Sequence, residues 1–218
     1  MRILVQVFSF LIFLSLTTNI HALEHVSLLK KSVQEWNQWR KQNPKVIPNL
    51  RGVYLRGTNL KGANLQKANL QEATLEQADF QWANLERAYL IDADLNGADL
   101  RVTNLRGADL RRANLRGANL QKANLRGAGL QGANLKGAIL TEANFQGAYL
   151  NEAEFHFTHL QNVNLEGTDL QEAEHLTCNQ INSVKSLNKE TKFPDNLEVK
   201  ITGKNKWTGK EVKKENDK

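Results

Sequence analysis

Residues 63–80 read Ala63-Asn64-Leu65-Gln66-Lys67-Ala68-Asn69-Leu70-Gln71-Glu72-Ala73-Thr74-Leu75-Glu76-Gln77-Ala78-Asp79-Phe80. A large apolar residue returns at every fifth place. A small one stands two places before it, and Asn, Asp or Thr lies between. Working outward, the spacing runs unbroken from Leu50 to Leu170, with Phe in place of Leu at Phe80, Phe145 and Phe155. On an α-helix a step of five overshoots a full turn by about 140°, so the leucines would spiral over every face. A flat strand fails as well, because side chains alternate with a period of two. The pattern suits a chain that turns a corner every five residues. Four such sides close a coil of about 20 residues, with every leucine pointing inward and the small residue beside it in a narrow bore.

Glycine placement agrees with the corners. Gly97 and Gly107, like most glycines here, follow a central leucine by two residues. That is where a type II turn needs a positive φ. Coils stacked at about 4.8 Å would build a rod on the order of 30 Å long.

The A-(D/N)-L-x-x motif run end to end resembles the pentapeptide-repeat family over residues 50–170. The resemblance implies an all-β protein, a right-handed quadrilateral β-helix. Glu35-Trp36-Asn37-Gln38-Trp39-Arg40 with Asn43-Pro44 also resembles the lead-in segment found before the repeats in some bacterial members.

The organisation expected is a signal peptide over 1–22, a capping helix and linker over 23–48, the solenoid over 49–176, a C-terminal cap over 177–208 and a lysine-rich disordered tail over 209–218. Met1-Arg2, the uncharged apolar run Ile3–Leu16 and a polar stretch ending at Ala22 have the layout of an export signal cut after Ala22. A retained anchor is the competing reading, but a membrane span needs roughly 20 apolar residues and this run is shorter. No transmembrane span is expected after cleavage, and the localisation expected is periplasmic or secreted.

A solenoid exposes apolar cross-sections and unpaired edges at its ends. Leu29, Val33, Trp36 and Trp39 lie at helical spacing, so Val26–Lys41 is expected as one amphipathic capping helix; a membrane- or partner-binding helix is the alternative. Thr177 and Gln180 have the T-x-x-Q form of a capping box, opening a short helix with Ile181 and Val184 inward.

The net charge of +6 is unevenly placed. The repeat body from Leu50 to Leu176 is slightly acidic, with 13 Lys+Arg against 15 Asp+Glu, so the basicity lies in the flanks. Within the body, Arg101, Arg106, Arg111, Arg112, Arg116, Lys122 and Arg126 form a basic girdle, a possible interaction patch for an acidic partner. No aromatic side chains interleave it as they do on single-strand nucleic-acid platforms, and nucleic acid is not the expected partner. Trp82, Tyr89, Tyr149 and Phe157 occupy outward positions, as interface anchors do.

No phosphate loop, nucleotide fingerprint or catalytic triad order appears. The single cysteine, Cys178, excludes an internal disulfide framework and a cysteine zinc site, and reads as a small buried residue. Glu154, His156, Glu174 and His175 could gather on one face, but their spacing matches no ligand signature. No catalytic residue, cofactor or metal is expected. The function expected is that of a non-enzymatic exported scaffold or interaction module, binding a protein or envelope component. Two alternatives are a secreted effector with its lysine-rich tail as a contact arm, and the DNA-mimic modulation of topoisomerase that the family resemblance brings. The second implies an acidic cytoplasmic rod, from which this chain departs in both charge and signal peptide.

Overall fold

A computed structural model of the chain describes residues 24–203 and 206–212. The expected signal peptide lies outside the described residues, as does the end of the lysine-rich tail from 213.

The repeat body is a stack of coils. Parallel bridges join each residue before a central leucine to the residue 20 further on, from Asn49↔Asn69 through Glu154↔Glu174, with four bridged sides to a coil. Each side is too short between corners for more than a single bridge. The inter-coil bonds are nonetheless regular: Leu105 N donates to Asn124 O at 2.8 Å, and Asn104 N to Ala83 O at 3.0 Å. Along the axis run the central leucines and phenylalanines together with the alanines, nearly all of them fully buried. Where Thr103, Thr158 and Thr168 replace the small residue, each hydroxyl donates to a carbonyl of the coil below, satisfying a polar group that burial would otherwise penalise.

The corners follow from one dihedral. The small residue's N–H returns to the preceding central carbonyl, as in Ala98 N to Leu95 O at 3.0 Å. Only the third residue of each such turn has positive φ, which defines type II. Glycine holds many of these places, but Val102 (φ 58°) and Phe157 (φ 58°) hold others despite their bulk.

Helix α1 covers residues 24–31 and α2 is Val33–Gln42. The single helix expected over Val26–Lys41 is therefore divided. Ser32 is extended (φ −164°, ψ 125°) and its side chain accepts from Glu35 N, so it acts as an N-cap in mid-sequence. Leu29 and Trp36 are buried against the first coil, with Val33 and Trp39 packed beside them.

At the other end α3, Cys178–Asn182, stands where the next bridged side would fall. Thr177 Oγ1 accepts from Gln180 N, and Gln180 Oε1 accepts from Thr177 N at 2.8 Å. Ile181 and Val184 are buried, and Cys178 is partly so. Beyond α3 the chain adds an irregular coil, pairing Asn164↔Ser186 and Asp169↔Lys192. A hairpin follows, β1 (Leu197–Gly203) antiparallel to β2 (Lys206–Glu211). Gly209, Lys210 and Glu211 thus belong to a paired strand, not to the disordered tail expected from 209 onward. Val199, Ile201 and Trp207 account for this: they pack on the core, and Trp207 Nε1 donates to Ile181 O.

Candidate functional site

The basic girdle is largely neutralised by its own neighbours. Arg101 pairs with Asp99 at 2.6 Å, Arg111 with Asp109 at 2.7 Å and Arg112 with Asp92 at 2.6 Å. Looser pairs join Arg106 to Glu86 at 3.8 Å and Lys122 to Glu142 at 3.7 Å. Among the described residues, only Arg116 and Arg126 of the seven lack an ion pair. The 20-residue stacking also distributes the seven around all four sides, so no flat partner could meet them together. Arginine hydrogen bonds hold the Asp92 and Asp99 carboxyls below the ordinary aspartate value.

The N-terminal end is sealed by polar groups that helical spacing of apolar residues did not reveal. The first coil has backbone groups with no coil beneath them. Trp36 Nε1 donates to Asn64 O, Asn37 Oδ1 accepts from Asn64 N at 2.8 Å, and Arg40 Nη2 donates to Gln66 O. Arg40 is 5% exposed, and burial pulls its guanidinium below the ordinary arginine value. Apolar spacing marks neither: Asn37 lies about 100° round the helix from Trp36, and Arg40, one turn on, shares the Trp36 face but is charged.

The most distinctive surface lies at the C-terminal end, and a one-residue slip creates it. Position 175 is where the next central leucine is due. His175 instead takes φ 55° and turns out to solvent, while Leu176 is buried in its place. Histidine tolerates the left-handed region better than most residues. Glu154 and His156, two apart on one strand side, already face outward on the coil below. The slip stacks the His175 ring on that of His156, with centroids 5.0 Å apart at 19°. Glu154, His156 and His175 bring one ligand atom each to within 4.8 Å of one another. Glu174, grouped with them on sequence spacing, is not among the three.

Beside them is an open, mainly apolar groove of about 500 Å³ lined by His156, Phe157, Thr158, His159, His175, Thr177 and Gln180. Phe157 is 72% exposed and packs against His156 at 4.0 Å. Gln180 floors the groove, its Nε2 donating to Phe155 O and Thr158 O, carbonyls left over at the coil's edge. The other exposed aromatics are scattered: Trp82 lies under Lys61 Nζ at 4.3 Å, and Tyr89 and Tyr149 are three coils apart. Tyr54, 61% exposed, joins them, in the same place before a central leucine as Tyr89 and Tyr149. Among the described residues no helix is long and apolar enough to cross a membrane.

Such a coil stack defines a class of repeat protein, and comparison names it. The family described as Pentapeptide repeats matches in 8 copies, over residues 49–87, 83–121, 103–141, 118–156 and 138–174. The chain belongs to that family, whose structures form right-handed β-helices. Among solved structures it is similar to Rfr23, a pentapeptide repeat protein from the cyanobacterium Cyanothece 51142, at 30% identity over 72% of this chain and 97% of that one, with a TM-score of 0.36. A pentapeptide repeat protein from the Arabidopsis thaliana thylakoid lumen is 40% identical over 43% of this chain and 69% of that one, with a TM-score of 0.38. HetL, a pentapeptide repeat protein involved in heterocyst differentiation regulation in Nostoc sp. strain PCC 7120, is 27% identical over 66% and 78%, with a TM-score of 0.35. No curated protein matches the chain.

Proposed function

We propose that this chain is an exported, non-enzymatic interaction rod that docks a protein or envelope component at its C-terminal end. The observation that carries the reading is Phe157. A bulky apolar ring, 72% exposed on a left-handed turn residue beside an apolar groove, is unfavourable both for solvation and for the backbone. A partner that covers the ring removes the solvation penalty. The self-paired girdle supports docking at the end in preference to mid-rod. The apolar start of the chain, with its small-residue ending at Ala22, supports export.

Phe157→Gly tests the docking. Glycine accepts the positive φ, so the turn is kept and only the ring is lost. With a photo-cross-linker in place of His159, the wild-type background should give a discrete adduct in the native host and the F157G background should lose it. An adduct of equal yield in both would show that the Phe157 ring does not anchor the partner.

A further inference from the structure

We propose that Glu154, His156 and His175 form a binding site for a divalent transition metal of the zinc type. Two imidazole nitrogens and a carboxylate oxygen are the donors such ions prefer, whereas calcium and magnesium favour oxygen alone. The three ligand atoms lie within 4.8 Å of one another. A tetrahedral zinc with bonds of about 2.1 Å holds its ligands roughly 3.4 Å apart, so the widest pair needs to close by little more than 1 Å.

Two further observations point to a cation here. Glu154 Oε1 is shut off from solvent and receives no hydrogen bond. His175 Nδ1 is 3.0 Å from it, and that contact is an ion pair only when the imidazole carries a proton. A buried carboxylate oxygen in that state is costly unless a charge neutralises it. Second, the arrangement exists only because the repeat slips at His175 into a left-handed conformation. Had the five-residue phase continued, this side chain would point into the bore. Phe157 walls His156 on one side, which limits ring motion. Three protein ligands leave a fourth position open toward the groove, for water or a donor from a bound molecule. The site needs no partner to form, so it stands apart from the docking proposed above.

The test is calorimetric titration of tag-free, chelator-stripped protein with Zn²⁺, repeated with Co²⁺ for its absorption spectrum. The expected result is one ion per chain and the intense visible bands of four-coordinate cobalt. His156→Gln and His175→Gln should each weaken Zn²⁺ binding at least about tenfold, since even outer-shell changes cost that much. Circular dichroism should stay unchanged, because both rings are at the surface. Absence of Zn²⁺ binding would overturn the proposal. So would Zn²⁺ binding in both variants as tight as in the wild type, which would put the metal on other groups.

Discussion

At the residue scale, each turn depends on one backbone angle, and the side chain at that place modifies its cost. Val102 is β-branched, 47% exposed and held at φ 58°. A left-handed conformation costs an L-residue roughly 1–2 kcal/mol, partly offset by the entropy glycine would lose. Val102→Gly should therefore stabilise the protein by about 0.5–1 kcal/mol, read as a rise in the thermal midpoint; a fall would mean that the valine methyls contribute packing. Asp99 gives a second residue-level expectation. Arg101 Nε and Nη2 and Gln81 Nε2 all donate to its carboxylate, keeping it below the ordinary value of 3.8. A depressed folded-state pKa contributes stability that is present above the unfolded value and lost as pH falls through the folded one. Stability should thus decline below about pH 4, and Asp99→Asn should flatten that slope in acid titrations followed by circular dichroism.

At the scale of elements, the ends are where sequence and structure part. The coil interior was legible because one residue type at one spacing has one geometric solution. The C-terminal capping box of Thr177 and Gln180 was legible, but the N-terminal cap was legible only in its apolar half: Leu29 and Trp36 could be read, whereas Asn37 and Arg40 could not, because what they satisfy is a backbone edge defined by the fold. Ser32 divided the expected helix because a side-chain cap competes locally with helix continuation. The His175 slip was hidden for a different reason. Chain spacing counts residues, whereas the slip changes which residue faces out. The caps carry a prediction of their own. Trp36→Ala should cost about 3–5 kcal/mol and promote self-association through the exposed end. Asn37→Ala should cost about 1–3 kcal/mol by stranding Asn64 N–H. Urea unfolding and light scattering would read both, and an N37A protein as stable as wild type would mean that water replaces the cap.

At the scale of the whole molecule, the rod is nearly additive, since each coil touches only its neighbours. Deleting residues 104–123 removes one full coil and leaves every remaining leucine in phase. The shortened protein should fold cooperatively with its longest dimension reduced by about 4.8 Å in small-angle scattering. Deleting residues 104–122 should not give a folded rod, because one residue out of phase turns the leucines that follow away from the bore. If both deletions fold equally well, the five-residue phase is not what specifies the core.

Whether the rod works outside the cytoplasm is decided by fractionating the native host and sequencing the N-terminus of the recovered protein. The expected product is a chain beginning at Leu23 in the periplasm or medium. A full-length chain in the cytoplasm would contradict export.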